Sequence, residues 1–216
     1  GSDSHPAGSA DSTDSTDSAD STDSTDSADY RRPHYQPGIP AVIDVPDAPL
    51  SELLETAARF YGERCALDFL GAGLTYTELL KASERAAQLL RESGVEAGDR
   101  VSMIMPNCPQ HMIAVYGALR LGAIVAEHNP LAPAAQIREQ IELHHGRVII
   151  AWEKSLTRLV QAAGSLADAG MAGRKVLAVD LSRGLPWTTR LALKLPVAAA
   201  RSQRSELRGR VPAGGA

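Results

Sequence analysis

Six histidines and two cysteines stand among the 216 residues, and their spacing limits the chemistry open to the chain. Cys65 and Cys108 lie far apart and in no metal-ligand spacing, so they read as reduced, structural thiols. No Ser occupies a nucleophile elbow, and no two carboxylates stand at catalytic spacing. No Gly-x-Gly-x-x-Gly follows a strand, which removes a dinucleotide-binding sheet. On this reading the chain offers no catalytic, no cofactor-binding and no metal-ligating residue. Among the histidines, His111 falls near a helix start and reads as a surface or partly buried residue. His144 and His145 precede Gly146 at a helix end, where the dipole favours a cation. His128 alone has a placement argument. It adjoins Asn129-Pro130 beyond the carboxyl end of an expected strand, where open α/β sheets bind ligands, and it is the candidate substrate-side or interface residue.

Elements must position these groups. Leu50, Leu53, Leu54, Ala57, Ala58 and Tyr61 recur at helical spacing, and Gly62 ends that helix. Cys65 to Leu70 reads as a strand and its turn. Thr75 and Glu78 have capping-box spacing at the head of a helix through Leu79, Ala82, Ala86, Leu89 and Leu90. Gly94 is its expected left-handed end, with Val95 as the apolar contact. Apolar runs at 101–105, 124–126, 148–151 and 175–179 then alternate with helical patterns that end at Gly122, Gly146 and Gly164. Asn107 is expected to cap the helix after it. Alternation with short connections predicts an α/β fold: a doubly wound, largely parallel sheet with helices on both faces.

Composition divides the chain into three. Residues 1–29 hold eight Asp and no Lys or Arg, with Asp-Ser-Thr-Asp-Ser-Thr-Asp-Ser-Ala repeated at 11–19 and 20–28. Such a segment buries nothing and is expected to be disordered. The repeats lack the glycines and apolar residues of a calcium-binding coil. Residues 30–181 form the expected α/β portion; the rest of the chain beyond the tail holds 18 acidic and 22 basic residues. Residues 182–216 carry seven Lys or Arg and one Glu. Two readings compete there: a connector that packs on a larger body, which is favoured, or an amphipathic stretch at 185–201 on an anionic membrane surface. No stretch of 18 apolar residues appears, so no membrane span is expected.

Two stretches carry a family resemblance. One is Leu74-Thr-Tyr-Thr-Glu-Leu79 with Gly94-Val-Glu-Ala-Gly-Asp-Arg-Val101. The other runs from Met105-Pro-Asn-Cys-Pro-Gln to Glu127-His-Asn-Pro-Leu131. In order and separation they resemble the first blocks of the adenylate-forming superfamily, which includes fatty-acyl-CoA and aryl-CoA ligases and peptide-synthetase adenylation domains. The resemblance spans about residues 45–200. It implies the N-terminal part of an AMP-forming ligase of the long-chain fatty-acid–CoA type, with ATP, Mg²⁺ and CoA used by the parent enzyme. It implies the remainder of that enzyme as partner, no nucleic acid, and a cytoplasmic location with peripheral contact at the inner face of the membrane as an option. The family's Ser/Thr/Gly-rich phosphate loop ending in Pro-Lys-Gly is not in this sequence. The chain is therefore expected to be truncated and inactive alone. Gln136 and His144-His145 depart from the family pattern and bear on the subfamily only. An aryl-acid or amino-acid ligase, or a non-catalytic binding module, are the alternatives.

Overall fold

A computed structural model describes residues 45–209. The chain divides into two units, Gly1–Asp47 and Ala48–Ala216. The expected disordered tail, its boundary at residue 29, and the last residues of the C-terminal stretch lie outside the described residues.

The second unit opens with α1 (Ser51–Tyr61), then an antiparallel hairpin of β1 (Cys65–Phe69) and β2 (Ala72–Thr75). The turn between them places Leu70 and Gly71 at positive φ (55° and 85°), the conformation of a tight hairpin turn. Asp68 Oδ1 accepts from the Gly71 N–H at 3.2 Å and steadies it. The sequence predicts the first of these strands within one alternating sheet. The hairpin is instead a separate two-stranded sheet. Ala72–Thr75 is four residues with one glycine, too short to show strand periodicity.

Next come α2 (Tyr76–Glu92), β3 (Arg100–Ile104), α3 (Pro109–Arg120), β4 (Ile124–Glu127), α4 (Ala134–His144), β5 (Val148–Trp152), α5 (Glu153–Ala163) and β6 (Lys175–Val179). The four later strands form one parallel sheet in the order β4-β3-β5-β6. The chain enters at β3, moves to the β4 edge, and crosses back to β5. Val101, Met103, Val148 and Ile150 face a core shared with Leu90 of α2 and Ala114 and Ala118 of α3. Ile104, Ile149 and Ala151 face the opposite core, with Ile137 and Ile141 of α4 and Leu156 and Leu159 of α5. Both faces are thus covered. This is the expected α/β fold, and it explains why β3 and β5 read as nearly unbroken apolar runs.

Local signals hold at the helix ends. Thr75 Oγ1 accepts from the Glu78 N–H at 3.2 Å, and Glu78 Oε2 accepts from the Thr75 N–H at 2.9 Å. Gly94 sits at φ 85°, and the buried Val95 donates its N–H to Leu90 O. Two expectations shift. The N-cap of α3 is Cys108, not Asn107, and no side chain bonds the helix start; Pro109 at the first helical position supplies the preorganised φ instead. On α1 only Leu54 is buried, while Leu50 and Leu53 are 57% and 60% exposed. The periodicity gave the helix, but α2 covers only one edge of that face.

Beyond β6 a short 3₁₀ turn (Leu181–Gly184) leads to α6 (Trp187–Ala192) and α7 (Ala198–Leu207). Both lie in the second unit.

Candidate functional site

In an open parallel sheet, ligands collect beyond the carboxyl ends of the strands, where neighbouring strands send their connections to opposite faces. Here that place lies between β3, whose chain leaves for α3, and β5, whose chain leaves for α5. The residues delivered to this edge are Asn107, Cys108 and Gln110 after β3, Glu153 after β5 and Asp180 after β6. A cavity of about 300 Å³ is lined by Gln110, Glu153, Asp180, Arg183 and Arg208.

The end of α7 closes over it. Trp152 Nε1–H donates to Leu207 O at 2.7 Å, and Arg208 Nη2 pairs with Asp180 Oδ2 at 2.8 Å, its Nε lying 4.0 Å from Glu153 Oε2. Gly209 runs so close to Glu153 that an added Cβ would meet the Glu153 carbonyl. Gln110 Oε1 is buried with no hydrogen-bond partner. On the hairpin side, a second cleft of about 200 Å³ is lined by Leu67, Phe69, Asn107, Cys108 and Met112, among others. Burial pushes the Cys108 thiol above its ordinary pKa, so it is a protonated wall residue and no nucleophile.

His128 is buried, immediately after β4, under α4. Its partners form a chain. The Gly146 N–H donates to His144 Nδ1 at 2.9 Å, which leaves the His144 proton on Nε2. That Nε2–H donates to His128 Nε2 at 3.1 Å. His128 Nδ1–H in turn donates to Gln140 Oε1 at 2.9 Å. Ser102 Oγ lies 3.4 Å from His144 Nε2. The tautomers follow from this network, since only one proton placement satisfies every link. Burial, and then the neighbouring His128, push the His144 pKa below its ordinary value. His144 is therefore neutral, and the helix-dipole reason that the sequence suggests for it does not operate. Adjacent His145 is the left-handed residue that ends α4. His111 Nε2 lies 2.7 Å from Glu127 Oε1.

The loop after β4 is held by a residue the sequence did not mark. Arg158 on α5 donates to the carbonyls of Pro130, Leu131 and Ala132, the last at 3.0 Å. Asn129 Oδ1 accepts from the Leu131 N–H at 2.9 Å. One arginine thus fixes three carbonyls of the Asn129–Ala132 turn, and no motif signals such a contact 26 to 28 residues away. The arrangement positions backbone and excludes solvent. Among the described residues, no group of three His, Cys, Asp or Glu could hold a metal ion.

The profile of the AMP-binding enzyme family matches residues 54–203. The chain belongs to that family. A long-chain-fatty-acid–CoA ligase of Bacillus subtilis (strain 168) is 34% identical over 116 residues, covering 54% of this chain and 21% of the relative. A 4-coumarate–CoA ligase of Oryza sativa subsp. japonica is 40% identical over 80 residues, 37% of this chain and 14% of the relative. Among solved structures, a benzoate CoA ligase from Burkholderia xenovorans LB400 superposes with a TM-score of 0.51 at 26% identity, covering 60% of this chain and 25% of that one. The chain spans about a fifth of the length of the long-chain ligases it matches. The matched segment takes in the whole four-stranded sheet and the capping box.

Proposed function

We propose that this chain is the N-terminal scaffold of an AMP-forming acyl-CoA ligase whose substrate is a long-chain fatty acid. The full enzyme would join the carboxylate to ATP with release of pyrophosphate, and then pass the acyl group from acyl-AMP to the CoA thiol with release of AMP. No residue of this chain reacts in either step. Its part is to hold the carboxyl edge of the sheet and the Arg158-clamped turn in place for groups supplied by the rest of the enzyme.

The observation that carries the reading is the family match over 54–203, with long-chain ligases from two bacteria at 34% and 37% identity over about half of the chain. A second reading, an aryl-CoA ligase, is favoured by the 4-coumarate and benzoate relatives. The test has two arms. The chain incubated with ATP, CoA and palmitate should release no AMP above background, and robust release overturns the scaffold role. A chimera with residues 48–209 in place of the matched segment of the Bacillus subtilis relative should form palmitoyl-CoA. A folded chimera that makes no acyl-CoA from any acid overturns the family role assigned here.

A further inference from the structure

Two histidines between the edge strand β4 and helix α4 have no part in the ligase reading. His128 is 6% exposed, and the His128 and His144 ring centroids lie 5.1 Å apart. The chain from the Gly146 N–H through His144 and His128 to Gln140 holds two ring protons, on His144 Nε2 and His128 Nδ1. A third proton has no place in it. On His144 Nδ1 it would face the Gly146 N–H, 2.9 Å away. On His128 Nε2 it would face the His144 Nε2–H, 3.1 Å away. Passing a proton between the rings gives no relief, because His144 would then carry its hydrogen on Nδ1, against Gly146. Two donors that face each other lose a hydrogen bond and leave a charge unpaired inside the fold. The surroundings do not offset that charge. Besides His128, the charged side chains acting on His144 are Arg174, ahead of β6, and Arg100 of β3, both cations. Ser102 of β3 offers a hydroxyl 3.4 Å from His144 Nε2. α4 also packs on α5 and on the turn Ala167–Met171, whose charges are engaged elsewhere. Arg158 holds the carbonyls after β4, Glu153 and Lys154 meet Arg208 and Glu206, and Asp168 accepts from Ser165. On α4 itself Arg138 pairs with Glu142, while Glu127 pairs with His111 and His145 is exposed.

We propose that the His128–His144 pair is a proton-operated latch, which closes the end of α4 onto the sheet edge at neutral pH and releases it in mild acid. Gly146 is the pivot. Its N–H holds His144, its carbonyl accepts from Arg174 Nε at 2.9 Å, and a Cβ there would meet Ser102 Oγ at 2.7 Å. His145 before it is held at φ 54°, a conformation that an L side chain adopts at some cost. Once the Gly146 link is lost, this corner is the weak point, and β3 and β5 stay paired. Desolvation of His144, which disfavours its charged form, acts in the same direction. A metal ion is the poorer reading of two facing imidazoles. Bridging both Nε2 atoms would move the His144 hydrogen to Nδ1, against the Gly146 N–H. Among the described residues, no third His, Cys, Asp or Glu completes a ligand set. The latch is internal to residues 100–174 and does not depend on the ligase reading.

Amide exchange of the full chain, read by mass spectrometry and corrected for the intrinsic pH dependence, tests it. Peptides across residues 141–148 should exchange up to about tenfold faster at about pH 5.5 than at about pH 7.5, because a released histidine of ordinary pKa takes up the proton there. Low urea should leave that rate unchanged, since a local opening exposes little surface, whereas peptides of β3 and β5 should respond to it. Exchange at 141–148 that follows urea in step with β3 and β5 is global unfolding and overturns the latch. An equal rate at both pH values overturns it too. H128Q/H144Q removes both titrating rings and should abolish the pH response, and H145Q, at the exposed neighbour, should keep it. A folded H128Q/H144Q that retains the response, or an H145Q that loses it, counts against the proposal. Where the double variant does not fold, the wild-type urea comparison and H145Q decide the matter.

Discussion

Thr75 and His144 show how a single side chain sets a local equilibrium. Thr75 accepts at the head of α2, and Glu78 answers it. Replacing Thr75 with Ala should cost about 1 kcal/mol, read as a lower urea midpoint, because the Glu78 N–H loses its acceptor. His144 acts through protonation. Its folded pKa lies below the unfolded value of 6.5, with burial the first cause. The stability it contributes is complete above that value and erodes as pH falls through it, because the unfolded chain then binds the extra proton. The urea midpoint should drop between about pH 7.5 and about pH 5.5, and H144L should flatten that slope. A wild-type midpoint that stays level across this window would overturn the neutral His–His chain. Thr75 and Glu78 were legible because capping is a local rule of spacing. The link between His128 and His144 was not. It depends on α4 lying over β4, and the sequence offered only two histidines 16 residues apart.

Packing between elements explains which patterns could be read. The alternation of strand and helix was legible from apolar runs, because a buried parallel strand must be apolar on both faces. The sides of the helices were less so. Leu89 belongs to the predicted face of α2 but is 50% exposed, whereas Ser83 is fully buried. Ser83 Oγ donates to Leu79 O at 2.8 Å, so its hydroxyl is satisfied within its own helix. Polarity misled the periodicity there. Gly117 of α3 lies close against α2. A Cβ at that position would lie 2.8 Å from Ala86 Cβ and 3.0 Å from Ala87 N. G117A should therefore destabilise by about 2 kcal/mol through over-packing, measured by chemical unfolding. Arg158 links α5 to the turn after β4. R158A should remove the donor to the Leu131 and Ala132 carbonyls, with Pro130 O keeping Ser155 Oγ at 3.3 Å, and cost about 2 kcal/mol, with faster amide exchange confined to residues 129–133 and to neighbours in α5. Exchange that rises evenly over the whole sheet would mean the clamp is not local.

At the scale of the molecule, the sheet has two open edges, β4 and β6, among the described residues. Ile124 on the β4 edge is 49% exposed. A parallel sheet with unpaired edges is prone to association. The isolated chain should melt broadly or aggregate, and a sharp, reversible, concentration-independent melt would count against that. The C-terminal stretch stands apart from this picture because it is fastened at its far end. Leu207, Glu206 and Arg208, which hold Trp152, Lys154 and Asp180, all lie beyond α6 in the chain. The exposed Arg190 and Lys194 come before them. A tryptic nick after either residue would cut the covalent thread and leave the knot tied. The nicked protein should elute as one species under native conditions and separate into two fragments only in denaturant.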